Sequence, residues 1–393
     1  MFEKLEPAAP DGILALISLF RDDPRDGKVD LGVGVYKARD GSTPIMRAVR
    51  AAELRLHQTQ GSKSYLGLVG DPGFNAAITG LVFGDGADRT RLRACQTPGG
   101  TGALRLLADL LHLARSDATV WISDPTWPNH LPILRAAGFA TRTYPYFDPA
   151  TAGVRFDAMM EALKGAAPGD IVLLHGCCHN PTGANLDAAQ WTAIADLLVE
   201  RGLTPFVDLA YQGFGDGLEE DAAAVRLLAG RVPEMVVATS CSKNFSVYRD
   251  RAGAAILLGR TPAETDVAFG QMLGVARGIW SMPPDHAAAC VRIVLEDEAL
   301  AADWRAELDD VRLRMLSLRE TFAEALRRQS NSDRFDFLAR HRGMFSRLGL
   351  TKDQVDRLRA EHGVYMVGDS RINVAGLPDD RLDDLATKVV SVL

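Results

Sequence analysis

Five short, nearly continuous apolar runs punctuate the middle of this chain, at Thr119–Ser123, Ile171–His175, Pro205–Asp208, Met235–Ser240 and Ala254–Leu258. Each has strand length and little polar alternation, the pattern of strands covered on both faces. Helical patterns lie between them, as at Ala103–Ala114, Asp187–Glu200 and Ala222–Leu228. Strand and helix alternating in this way predict an α/β fold with a mostly parallel sheet between helix layers. Ligands of such sheets bind beyond the carboxyl ends of the strands. Polar residues directly after a strand are therefore the site candidates.

The rhythm breaks at both ends. Residues Ala287–Gln329 read as long, charged amphipathic helices, and an α+β pattern runs from Phe335 to the end. The first forty residues do not fit the rhythm either. This predicts a large cofactor-binding domain over 45–309 and a smaller α+β domain built from 14–44 and 310–393. Residues 1–13 are expected to form an N-terminal arm. A chain of 393 residues has room for two such domains and for a substantial core.

The net charge of −7 argues against a nucleic-acid partner, which would call for a basic face. Small anionic substrates stay open, because a site needs only a few local cations. The five cysteines are odd in number and sparse, so no disulfide framework is expected and a reducing cytoplasm fits best. Met1–Pro10 carries acids where a signal peptide needs bases. The apolar run Gly12–Phe20 is too short to span a bilayer and meets Arg21, Asp22 and Asp23 at once. No membrane association is expected.

Three features stand where the sheet argument places a site. Pro98-Gly99-Gly100-Thr101-Gly102 leads into a helical run. Glycines there let backbone N–H groups approach an anion that the helix dipole favours, although a tight turn has the same appearance. Lys243 follows the strand Met235–Ser240 in Ser240-Cys241-Ser242-Lys243, with Arg249 and Arg251 downstream. Ser240 and Arg251 suit a phosphate, and burial beside cations would make Lys243 a better imine-forming amine. Taken alone, such a lysine is more often a surface residue. Asp208 closes the strand Pro205–Asp208. It suits a protonated pyridine nitrogen, or a helix N-cap. A phosphate cradle, an imine-forming lysine and an acid partner are together what pyridoxal 5'-phosphate requires.

Ordered blocks then carry a resemblance over most of the chain: LGVGVYK at 31–37, TPGGTGALR at 97–105, DPTWPNH at 124–130, HGCCHNPTG at 175–183, DLAYQGF at 208–214, SCSKNF at 240–245 and RINVAG at 371–376. The chain resembles the aspartate/aromatic amino acid aminotransferase family, class I aminotransferases of fold type I. The resemblance implies a seven-stranded-type sheet and a pyridoxal-phosphate enzyme. Such an enzyme exchanges the amino group between aspartate or aromatic amino acids and 2-oxoglutarate by a ping-pong mechanism.

Roles follow residue by residue. Lys243 is implied as the Schiff-base lysine and as the base and acid of proton transfer. Asp208 is implied to hold the pyridinium proton, Tyr211 and Asn180 to bond the phenolic oxygen, and Trp127 to stack on the ring. Gly100, Thr101, Ser240 and Arg251 are implied to hold the phosphate. Arg371 would bind the substrate α-carboxylate, with Asn180 and the backbone of Gly34. Tyr65 and Arg277 resemble residues that cross a homodimer interface, Tyr65 to the partner's phosphate and Arg277 to a distal carboxylate.

The block around Arg277 departs from aspartate-preferring relatives. Trp280 and Met282 stand where tyrosine and asparagine are usual, Ser64 replaces an asparagine, and Arg347 replaces an aromatic. These departures predict a donor range that includes aromatic amino acids. For His175, Cys177, Cys178 and His179, a zinc reading competes with packing around the Asn180 loop. Adjacent cysteines at a strand end are expected to point to opposite faces, so no metal is expected. Two other functions compete. A decarboxylase of the same fold would not clamp the carboxylate that it must expel. A regulator's effector domain would follow a DNA-binding domain, whereas this chain starts almost directly in the catalytic pattern.

Overall fold

A computed structural model describes residues 1–7 and 12–393, with Leu14 described in its backbone only. Of the arm expected over 1–13, residues 8–11 lie outside the described residues. The main sheet has seven strands: β1 Leu92–Pro98, β2 Thr119–Asp124, β3 Ala140–Pro145, β4 Ile171–His175, β5 Thr204–Leu209, β6 Met235–Ser240 and β7 Ala252–Leu258. Their spatial order is β1-β7-β6-β5-β4-β2-β3. Only β7 runs antiparallel to its neighbours, pairing Ala252 with Pro98 on one side and Gly253 with Ser240 on the other. The mostly parallel α/β architecture is the one the apolar runs predict.

The five expected strands are β2 and β4–β7. They form because their residues are buried on both faces; every residue of β6 and β7 is buried. β1 and β3 were not foreseen. β3 is an edge strand, and four of its six side chains are exposed or half-buried besides Pro145, so its sequence reads as mixed. The helix after β4 starts at Ala188, because the Asp187 side chain caps it in a reciprocal box with Gln190. It stops at Gly202, whose φ of 62° needs no side chain.

The predicted helical stretch Ala287–Gln329 divides into two helices, His286–Glu296 and Glu298–Ser330. Asp297 ends the first and caps the second, accepting from the N–H groups of Ala299 and Leu300. Residues from both ends of the chain meet in a parallel pair, Val29–Asp30 with Val364–Tyr365. Asn373 ties them further, donating to the carbonyls of Val33 and Val35 at 2.7 Å each. Among the described residues, no helix is long and apolar enough to cross a membrane.

From β2 the chain moves outward to β3, then returns to place β4 on the other side of β2. That reversal opens a crevice at the carboxyl ends of the strands.

Candidate active site

The loops that leave β2, β4, β5 and β6, with the helix that follows β1, enclose a cavity of about 220 Å3. Gly100 and Thr101 come from the start of the helix Gly99–Ala114. Trp127 follows β2, Asn180 follows β4, Asp208 and Tyr211 follow from β5, and Ser240 and Lys243 follow from β6. Gly34 and Arg251 line the same pocket. The glycines do not precede the helix; they are its first turn, where N–H groups lack intrahelical partners.

Close packing fixes the glycine identities. Gly99 has φ of 70°, and a Cβ there would lie 2.5 Å from the Arg251 guanidinium. A Cβ on Gly100 would lie 3.0 Å from Cβ of Ser240. Arg251 itself has a positive φ of 59° and donates to Ser242 Oγ and to the Tyr248 carbonyl, at 3.2 and 2.9 Å. The result is a pocket end lined by free helical N–H groups, a hydroxyl and a guanidinium.

Lys243 Nζ lies 4.6 Å from the centroid of the Tyr211 ring. Burial lowers its pKa to about 8, helped by the charge of Arg251 and opposed by that of Asp208. The Asp208 carboxyl is buried, which pushes it up. The hydrogen bond and charge of His130, with the charge of Lys243, outweigh burial and hold it below the ordinary carboxylate range.

His130 Nε2 donates to Asp208 Oδ2 at 3.1 Å. The Thr126 hydroxyl bridges the two rings, with Oγ1 at 2.8 Å from His130 Nδ1 and 3.2 Å from His175 Nε2. Burial pushes His175 down to about 3, so it serves this chain as a neutral ring. His179 continues the cluster, between Ser123 Oγ at 3.0 Å and Thr182 Oγ1 at 2.9 Å, with its ring stacked on Tyr146. Thr126, which joins His130 and His175, stands inside the DPTWPNH block, but no local pattern marks it.

Asn180 donates to the Tyr211 hydroxyl at 3.4 Å, and its Oδ1 is buried without a partner. Trp127 packs edge-on against His130. Tyr248, another lining residue that sequence reasoning missed, accepts the N–H of Tyr36 at 3.0 Å. No local pattern marks it, because its partner is 212 residues away.

Three expected residues do not line this cavity: Arg371, Arg277 and Tyr65. Arg371 is buried, donates to the Gly32 carbonyl at 2.8 Å and lies over the Phe345 ring at 4.4 Å. The same ring limits Gly34, where a Cβ would sit 3.0 Å from Phe345 Cζ. Tyr65 is 89 % exposed. Arg277 is exposed and donates to Ser281 Oγ at 3.0 Å. The two segments touch where the Leu66 N–H meets the Met282 sulfur at 3.0 Å. Arg347 is ion-paired with Asp369 and faces a different cleft, lined also by Phe147 and Thr351.

The reading of the cysteines needs correction. His175 and His179 turn toward Thr126, Ser123 and Thr182, away from a shared metal position with the cysteines. Yet Cys177 and Cys178 do not point apart. β4 ends at His175 and Cys178 takes a φ of 50°, so strand alternation no longer applies. Both sulfurs lie within 4.8 Å of each other and of the Asp221 carboxylate.

Comparison with known proteins accords with this geometry. The family Aminotransferase class I and II matches residues 26–389. The aromatic-amino-acid aminotransferase of Paracoccus denitrificans is 54 % identical over 392 residues, covering all of both chains. The aspartate aminotransferase of Escherichia coli K12 is 45 % identical over 396 residues, again covering both in full. Among solved structures, an aromatic-amino-acid aminotransferase from Burkholderia pseudomallei, described as covalently bound to pyridoxal phosphate, superposes with a TM-score of 0.98. It is 43 % identical and covers 100 % of this chain and 99 % of its own. The buried lysine, its acid and the glycine-lined helix start thus stand in a chain that belongs to the class I and II aminotransferases, and it is an enzyme that transfers amino groups.

Proposed function

We propose that the enzyme holds pyridoxal 5'-phosphate and exchanges amino groups between aspartate and/or aromatic amino acids and 2-oxoglutarate by a ping-pong mechanism. The observation that carries this reading is the buried amine of Lys243, in one cavity with Asp208 and the Gly100–Arg251 cradle. The residues fit the group. The crowding at Gly99 and Gly100 leaves the helical N–H groups open to a phosphate, with Thr101, Ser240 and Arg251 around it. The unpartnered Asn180 Oδ1 and the Tyr211 hydroxyl are polar groups available to a ring substituent. When bound, the cofactor supplies an aldehyde for the amine and a ring that draws electrons from the substrate α-carbon.

The chain's own residues supply the rest. Lys243 takes and returns a proton at Nζ, which a pKa of about 8 suits to neutral pH. Asp208 would hold its negative charge toward the ring nitrogen, and its hydrogen bond with His130 favours the ionised form. Trp127 would cover the ring face and exclude water. Arg371 takes the substrate α-carboxylate in a bidentate fork, beside Gly34 and Asn180.

The proposed assembly is a homodimer in which Tyr65 and Arg277 act in the partner's site. Their exposure and their absence from this chain's cavity support it. The proposed division into a smaller domain of 14–44 with 310–393 and a large domain of 45–309 is supported by the pairing of Val29 with Val364. Five free cysteines support a cytoplasmic location. A panel of kcat/KM values for aspartate, glutamate, phenylalanine and tyrosine with 2-oxoglutarate tests the reading. Failure to use aspartate, phenylalanine and tyrosine alike would overturn it.

A further inference from the structure

Cys177, Cys178 and Asp221 form a cluster that the proposed chemistry does not use. Each offers one ligand atom, and the three atoms all lie within 4.8 Å of one another. Asp221 is buried and has no cationic partner among the described residues. Its Oδ2 accepts the N–H groups of Gly213 and Gly215 at 2.8 Å, and its Oδ1 accepts that of Asp216 at 3.0 Å. A carboxylate has about four acceptor positions, so one on Oδ1 is left. A buried charge is normally paired or bound to a metal ion, and here two thiols stand within 4.8 Å of the carboxylate. Cys178 is held in place by Gly343, where a Cβ would come within 2.4 Å of its own. Cys177 is partly exposed, which gives a route from solvent.

We infer that Cys177, Cys178 and Asp221 bind a soft, thiophilic divalent cation, and that its binding slows turnover. Two thiols lose two protons to solvent as the cation gains two sulfur bonds, with the carboxylate as third ligand and water as fourth. No electron changes hands. Zinc–sulfur bonds of about 2.3 Å and zinc–oxygen bonds of about 2.0–2.2 Å set the spacing that the three atoms must adopt. Any adjustment to that spacing is transmitted along two short pieces of chain. Cys178 is two residues from Asn180, and Gly213, bonded to Asp221, is two residues from Tyr211. Asn180 and Tyr211 are already hydrogen-bonded to each other and line the cavity. A cation at the cluster therefore ties together the two loops that carry them and shifts both side chains.

The test is titration of metal-free holoenzyme with Cd2+ and, separately, Zn2+. One equivalent per chain is expected to produce a thiolate-to-cadmium ultraviolet band and to lower kcat at least several-fold, with recovery on adding a chelator. The Cys177→Ala/Cys178→Ala variant is expected to keep its turnover and to lose both the band and the inhibition, although Cys95, Cys241 and Cys290 remain. Asp221→Asn is expected to keep the band with weaker binding. Absence of the band in the wild-type enzyme overturns the inference even if the double variant does not fold. Equal inhibition of wild type and double variant overturns it as well. The ultraviolet band does not depend on which amino acids the enzyme uses, so this inference and the proposed substrate range fail separately.

Discussion

His130 donates to Asp208 across 3.1 Å and so joins the loop after β2 to the end of β5, 78 residues apart in sequence. The contact offsets the burial that pushes the carboxyl up, and so holds it below the ordinary carboxylate range. Asp208→Ala should leave the fold intact and lower kcat by about two orders of magnitude or more, the scale of one preorganised electrostatic contact. His130→Phe should fall between wild type and Asp208→Ala, because it weakens the charge without removing it. Steady-state kinetics on both variants checks this, and near-normal turnover in Asp208→Ala would refute the role.

Lys243 is the expected attachment point of the cofactor. Borohydride reduction of the purified enzyme should fix the label on Lys243, read by peptide mass spectrometry. Lys243→Ala should still bind the cofactor through the Gly100–Arg251 cradle but lose turnover by more than ~10^4-fold, since general-base catalysis and covalent attachment both disappear. A label on another lysine sinks the assignment.

Arg277 is expected to act across the dimer. Heterodimers of Lys243→Ala with Arg277→Ala subunits should regain activity, because one of the two hybrid sites carries both native residues. No recovery in verified heterodimers would mean that each site is built within one chain.

Donor selectivity should follow the same arginine. Aspartate and at least one of phenylalanine or tyrosine are expected to be used, with kcat/KM values within about two or three decades, a span set by a few kcal/mol of pocket discrimination. Arg277→Leu should depress aspartate and glutamate far more than phenylalanine, since a distal carboxylate would then be left unpaired. Equal loss for all donors would refute this. Arg347 is not expected to substitute for Arg277, because Asp369 already pairs with it.

Buried histidines should make stability depend on pH. Burial is the leading cause that lowers His175 to about 3, His341 to about 4, and His179 well below its ordinary value. The unfolded chain takes up protons near pH 6.5 that the folded chain refuses. Stability from these rings is thus intact above about pH 6.5 and drains as pH falls toward the folded values. Each ring contributes a slope of up to ~1.4 kcal/mol per pH unit in that window. Urea unfolding at pH 7.5, 6.5 and 5.5 should give midpoints that fall slightly over the first step and more steeply over the second. A midpoint unchanged at pH 5.5 would exclude the effect.

The sequence alone determined the strands β2 and β4–β7, because burial on both faces demands apolar residues that can be read one run at a time. It also placed Lys243 and Asp208, since each adjoins the end of such a run and strand ends are where a parallel sheet binds ligands; the glycine turn was legible from its own residues, although the strand before it, β1, was not. Tertiary structure decided the rest. The exposed edge β3 carries mixed polarity because half of it meets water. The antiparallel β7 is buried along its whole length, as β6 beside it is, so burial could not reveal its direction. The Asp208–His130–Thr126–His175 chain, the partner of Arg347 and the convergence of Cys177 and Cys178 on Asp221 likewise depended on packing. Such contacts form between residues distant in the chain or beyond the end of a strand, where local periodicity no longer governs which way a side chain points.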